Sequence, residues 1–559
     1  MMHVPFDRRR FLAIAGGLAV SGAAAAPAGA PSGPRVPAPE PGPARSTSAA
    51  LWEEYLGAPD THPTLPNVSF AGYRRGEQDL PAPGPVFDVR DHGATGDGAA
   101  DDTDALLAAI EAAGAAGGGC VSLPAGTYRT TRLIPVHHSG VVLRGAGKDR
   151  TTLYCDRSLS EAYFENRRDT RIQWSFMGGL LWFVPRTRLD SLRAADFLGE
   201  EGWEGGAVLS TVPGGPRRGD STLRVADASG LAAGDTVLLT LDNIEDSSLL
   251  RHLCGDVPDT ADYDWTTAAR RLRPELSDWS GAPNFTRYRW PVEIRAVDGD
   301  TVTLAQPLRL DLRAEWNPAL CEIGPVVRGS GVEELTIRMR EVELGPHNQE
   351  VGYNGPCFHN AIDCWARNVH VEHADNAFGM VSAKNVTLTG VSTGGRTAHH
   401  PFFCRVQSHD NLVSDFAVLG DCVHGLNSEG FSTGNVWSDG TMTAGTFDSH
   451  RAIPADSVRT GITLANTGRM GGSDDAGPLW GARISMWNVD VRNGRGHGVR
   501  IERNAPRSAV VGVRGTAEDA VTDHTREFGD DLGSVLADPG TVPEPVNLYR
   551  AQLAHRLGR

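Results

Sequence analysis

Positive charge, long apolar runs and cysteine are all scarce in this chain of 559 residues. Lys and Arg number 53 against 69 Asp and Glu, a formal net charge of -16. That balance argues against nucleic acid as a partner, because a phosphate backbone requires a basic face. A polyanionic substrate would need local Arg and His, or a bridging cation, to reverse the field. No stretch approaches ~18 uninterrupted apolar residues, so no membrane span is expected. Eight cysteines without tight spacing do not make a disulfide framework. Cys357 and Cys364 lack a second pair that would complete a zinc site, so the cysteines are expected to be small buried hydrophobes with at most one bridge. Glycine and proline, at 66 and 35, are plentiful, while only 22% of residues are charged. That composition points to many turns and short strands, hence a β-rich fold.

The N-terminus carries Asp7-Arg8-Arg9-Arg10-Phe11-Leu12, then the apolar AIAGGLAVSGAAAA and small residues between Ala23 and Ala30. This pattern resembles a twin-arginine export signal, which implies an extracytoplasmic protein exported already folded. Residues 1–30 are read as that signal. Residues 31–85 are read as a Pro-rich tether and a segment that wraps a later domain.

Between Val86 and Gly147 the sequence alternates short apolar runs with turn residues. Asp102 or Thr103 offers an N-cap for an amphipathic helix that ends at Gly117-Gly118-Gly119. One helix followed by short, evenly spaced strands is how a solenoid covers its open end. The acidic group Asp97, Asp101, Asp102 and Asp104 reads as turn and cap chemistry, since it lacks the bidentate acid of a calcium loop. Asp88-Val89-Arg90-Asp91-His92-Gly93-Ala94-Thr95-Gly96-Asp97-Gly98, Asp101-Asp102-Thr103, Gly118-Gly119 and Leu123-Pro124-Ala125-Gly126-Thr127-Tyr128 together resemble the opening of the pectate-lyase-like superfamily, which includes relatives of family 28 glycoside hydrolases and rhamnogalacturonases. The resemblance covers about sixty residues and implies an all-β, right-handed parallel β-helix with an N-terminal capping helix. Its rungs would run from 86 to 195 and resume from 326 to 515, with 516–559 as a tail.

Residues 196–325 break the pattern. Alternating strands with Asp-Gly turns predict a small inserted β subdomain there, with most of its Trp residues used in packing. Beyond it, Asn368, Asn385, Asn411 and Asn435 each open a strand. Their spacing suits solenoid rungs, and stacked Asn side chains would satisfy amide groups along the stack. Residues one and three after each Asn (Val369/Val371, Val386/Leu388, Leu412/Ser414, Val436/Ser438) are expected inside. The outward fourth position makes Asp415 and Asp439 a candidate carboxylate pair.

The chemistry concentrates between His399 and Arg451, where imidazoles, carboxylates and guanidinium groups follow each short strand. Asp421, His424, Asp448, His450 and Arg405 are the candidate catalytic residues. His399, His400, Arg451, Asp439 and Trp437 are candidates for substrate binding, and no residue is assigned to a metal. The family resemblance extends here in part. Gly420-Asp421-Cys422 resembles the Gly-Asp-Asp strand of polygalacturonases, with Cys422 in place of the second Asp. Phe447-Asp448-Ser449-His450 stands where their Gly-His-Gly would be, and Gly496-His497-Gly498 reads as a turn. What this implies is an exported enzyme cleaving a uronic-acid-containing, pectin-like polysaccharide by hydrolysis, with Asp421 and Asp448 as the acid and its partner. The alternative is lytic elimination with a base among Arg405, His400 and His424, the only case that calls for calcium. A glycan-binding β-helix without chemistry is the third reading.

Overall fold

The computed structural model describes residues 47–82, 84–163, 174, 177–194, 202–260, 263–265, 287–347, 349–449, 452–465, 467, 480–492, 499–515 and 528–559. The twin-arginine stretch, His450, Arg451 and Gly496-His497-Gly498 lie outside them. No described helix is long and apolar enough to cross a membrane.

The protein is a parallel β-solenoid. In the larger sheet, strand Trp365–Glu372 is followed rung by rung by Leu412–Val418, Val436–Met442, Val458–Leu464 and Ser485–Val491, all paired in parallel. Two short strands, Thr387–Thr389 and Ser392–Gly394, complete the rung between the first two of these. The second sheet stacks Ile134–Val136, Leu181–Phe183, Pro356–Ile362, Asn376–Lys384, His400–Arg405 and Leu426–Ser428. Helix Thr103–Ala115 closes the N-terminal end by burying Leu106, Ala109, Ile110 and Ala113 against the bore. Its acidic neighbours are held in turns: Asp102 accepts from the Thr95 and Gly96 amides and Asp97 from those of Ala99 and Ala100.

Strand Gly331–Met339 pairs with Thr151–Cys155 on one side and Trp365–Glu372 on the other, so the larger sheet passes directly from residue 155 to residue 331. Six strands between Gly205 and Ile323 form a separate antiparallel sheet. Its core, with Trp290, Trp316 and Tyr288, closes over Phe431, Ala452 and Ile453 of the rungs. Inside the bore, Phe183 stacks on Phe358 at 4.7 Å and Phe378 on Phe402 at 5.2 Å. Each such pair adds about 0.5–1.5 kcal/mol beyond its buried area. None of the eight cysteines is joined in a disulfide, and seven of them are buried.

Register corrects the Asn column. Asn411 and Asn435 do stack: the Asn411 side-chain amide donates to the Asn435 side-chain carbonyl at 2.9 Å. Thr387 pairs with Leu412, however, which places Asn385 beside Asp410 rather than Asn411. Arg367 pairs with Thr389, which places Asn368 beside Gly390. Asn368 belongs instead to a line of left-handed corners: Glu334, Asn368, Gly390, Asp415, Asp439, Gly461, Asn488, Gly512 and Asp538 all have positive φ. These corners bend the rungs from Glu334 onward at one level, and Asn, Asp and Gly adopt them at least cost.

The same offset reverses the faces predicted after Asn411. Val413 and Trp437 point into the bore, while Val436 and Val458 point outward beneath a strap. That strap consists of Leu51, Tyr55, Leu65 and Val68 from the N-terminal segment with Leu548 and Tyr549 of the C-terminal helix. It covers Val436, Val458, Trp487, Ala509 and Val511 on the outer face of the large sheet.

Candidate active site

The second sheet carries a polar column through Asn354, Asn376, His400 and His424, set by the pairings of its strands. The Asn354 amide donates to the carbonyls of Trp174, Met177 and Gly178. The Asn376 amide donates to Trp174 O and to Asn354 Oδ1. Asn376 Oδ1 is thereby turned toward His400 Nδ1, 3.1 Å away. An amide oxygen can only accept, so His400 carries its proton on Nδ1 and its lone pair on Nε2.

His424 follows one rung later. Next to it, a Cβ on Gly425 would lie 1.7 Å from the Thr446 carbonyl oxygen, so only glycine lets the neighbouring rung approach this closely. That approach brings Asp448 up to His424: Nδ1 and Oδ1 are 3.5 Å apart, and Asp448 Oδ2 accepts from Asn427 Nδ2 at 2.6 Å. Asp448 is wholly buried, whereas the His424 side chain keeps 14% of its surface exposed. His399 adds a second imidazole–carboxylate pair, with Nδ1 2.8 Å from Glu350 Oε1. His347, on an exposed turn, completes the group. Ring centroids lie 4.4 Å apart for His399–His400, 4.7 Å for His400–His424, 5.1 Å for His399–His424 and 4.8 Å for His347–His399.

The imidazoles differ in basicity. Burial drives His400 well below the ordinary histidine value, and its neighbours His399 and His424 push in the same direction. Burial also lowers His399, against the pull of Glu350. For His424, burial is outweighed by the Asp448 carboxylate, and the ring is held above its ordinary value. One imidazole that can take a proton thus sits at the surface, among others kept neutral.

The structure brings together His399, His400, His424 and Asp448 from the sequence candidates, while Asp421, Arg405, Trp437 and Asp439 are placed otherwise. Asp421 is exposed, on the loop two residues before Val423. Arg405 is 1% exposed and pairs with Glu429, so it is not available to a substrate. Trp437 has no exposed surface and lies in the bore beneath the Arg459 guanidinium, so it is no stacking platform. Asp439 and Asp415 are corner residues tied to Arg550, and Asp439 also accepts from Asn547 at 2.9 Å. They anchor the C-terminal helix. His347, Glu350, Asn376 and Asn427 were not foreseen. Asn354, Asn376 and His400 follow at 22 and 24 residues, the rung length, and that spacing was the signal available for the column.

Residues 86–178 match the family model described as "Rhamnogalacturonase A/epimerase, pectate lyase-like". Mannuronan C5-epimerase AlgE3 of Azotobacter vinelandii is 67% identical over 45 residues, which is 8% of this chain and 2% of that protein. Alginate lyase 7 of the same organism is 60% identical over 45 residues, 8% of this chain and 5% of that protein. These matches span only a small part of either relative. Among solved structures, the A-module of the A. vinelandii mannuronan C-5 epimerase AlgE6 aligns with 81% of this chain and 96% of its own length, at 11% identity and a TM-score of 0.32.

Proposed function

We propose that this protein modifies a uronic-acid-containing polysaccharide, and that its reaction begins with removal of the C5 proton of a uronate by His424. The observation that carries this reading is the His424–Asp448 pair: a partly exposed imidazole whose inner nitrogen faces a fully buried carboxylate. Asp448 favours the protonated ring, which is what a base needs once it has accepted a proton. The C–H electron pair passes into the uronate carboxylate. It then either expels the C4 oxygen, cleaving the chain with a new double bond, or collects a proton from the opposite face, inverting C5. The names of the relatives matched over short stretches, mannuronan C5-epimerase and alginate lyase, belong to this class.

Hydrolysis by paired aspartates fits less well. It requires two carboxyl groups facing one glycosidic bond, and here Asp448 is enclosed behind His424 while Asp421 stands on an exposed loop.

The test is incubation with alginate and polygalacturonate in heavy water. Deuterium at C5 without chain cleavage identifies epimerisation, and ultraviolet absorbance of an unsaturated uronate identifies elimination. Reducing ends formed without that absorbance would overturn the reading in favour of hydrolysis. The parallel proposal of twin-arginine export rests on Arg8 and Arg9. Replacing both with Lys is expected to leave the precursor in the cytoplasm, visible by fractionation, whereas unchanged secretion would end that proposal.

A further inference from the structure

His347, His399 and His424 each place a ring nitrogen within 4.8 Å of the others, an arrangement able to hold a metal ion. A second feature points the same way. His399 faces Glu350 through Nδ1 at 2.8 Å, and His424 faces Asp448 through Nδ1 at 3.5 Å. Carboxylates behind Nδ1 are the usual outer partners of metal-binding histidines, since they fix the ring and the tautomer and leave Nε2 as the ligating nitrogen. Both carboxylates are fully buried, so they are well placed to orient the rings. His347 supplies the third imidazole from an exposed turn, and a fourth position would remain for water.

Three imidazoles select a borderline divalent transition ion such as Zn²⁺ or Co²⁺, not Ca²⁺, which takes six to eight oxygen ligands. The alternative set His400, His424 and Asp448 shares His424 with the first, so the two sets cannot both be filled. It offers no ligand from the surface turn, and Asp448 in it already accepts from Asn427.

We propose that His347, His399 and His424 form a Zn²⁺-class site, and that its occupancy switches the enzyme off by converting His424 from base to ligand. The off-switch rests on the base role given to His424 above; the metal site itself does not. Because His347 lies outside the His424–Asp448 pair, the Co²⁺ binding of His347→Ala tests the metal site apart from the base role.

Metal-depleted protein titrated with Co²⁺ is expected to bind one equivalent and to develop the visible bands of a low-coordinate cobalt–imidazole site. His347→Ala should abolish those bands, and Glu350→Gln should weaken Co²⁺ binding by about 10- to 100-fold, each with an unchanged thermal midpoint without metal. Absence of saturable binding, or bands unaltered by His347→Ala, would overturn the site. In the activity arm, one equivalent of Zn²⁺ should suppress turnover and a chelator should restore it. Whatever turnover His347→Ala retains should be insensitive to Zn²⁺. Turnover that rises with Zn²⁺ would overturn the switch. If no polysaccharide is modified under any condition, the cobalt arm still decides the site, and only the reading of the reaction fails.

Discussion

Asp448→Asn is expected to lower turnover on the modified polysaccharide by about 10²-fold or more, with the thermal midpoint almost unchanged. The substitution keeps the shape of the side chain, and its remaining oxygen can still accept from Asn427 Nδ2. What it removes is the negative charge that holds His424 above its ordinary basicity. His424→Gln should cost a similar factor. The double variant should be little worse than either single one, because the two residues act as a unit. Asp421→Asn is the contrast. Its side chain is exposed on the loop, so near-normal turnover is expected. If Asp421→Asn proves as damaging as Asp448→Asn, paired-carboxylate hydrolysis regains its place. Full activity in the folded Asp448→Asn protein would remove the His424–Asp448 pair from the mechanism.

The second large effect concerns stability, at the junction between the inserted sheet and the rungs. Asp410 is fully buried and pairs with both Arg309 of the insertion and Lys384 of the preceding rung. Gln306 bridges the group, donating to Asp410 and accepting from Lys384, whose ammonium also lies 4.9 Å from the centre of the Trp290 ring. Removing this carboxylate leaves the enclosed Lys384 without its ion-pair partner and Arg309 with only the more distant Asp456. Breaking a buried pair in this way costs about 3–5 kcal/mol. Asp410→Asn should therefore lower the denaturant midpoint far more than Asp415→Asn, whose side chain is 57% exposed and meets Arg550 at 3.4 Å.

The pH dependence of that difference has a definite sign. Burial alone would raise the Asp410 carboxyl, but Arg309 and Lys384 more than offset it and hold it below the usual carboxylate range. A group with a lowered folded-state pKa contributes stability above its unfolded value, about 3.9, and loses it as pH falls. The gap between wild type and Asp410→Asn should thus be full at neutral pH and shrink progressively below about pH 4. A gap that stayed constant through acid would show that Asp410 is not ionised in the folded protein.

By itself the sequence determined the solenoid, its capping helix and the stretch where polar chemistry gathers. Those features are local. A helix cap, a glycine stop and a strand bounded by turn residues depend on neighbours a few positions away, and rung spacing repeats them along the chain. The side on which each residue falls was decided only by the tertiary structure. A one-residue difference between Asn385 and Asn411 in the shared register exchanges inside for outside, because side chains alternate along a strand. This is why Trp437, read as a surface platform, lies in the bore. The strap from residues 51–68 and the C-terminal helix closed the face where Asp439 was expected to act. The site that remains joins His347 and Glu350 to His399, His424 and Asp448. No local pattern links residues so far apart in the chain; the stacking of rungs brings them together, at distances set by strand spacing and by the close approach that Gly425 permits.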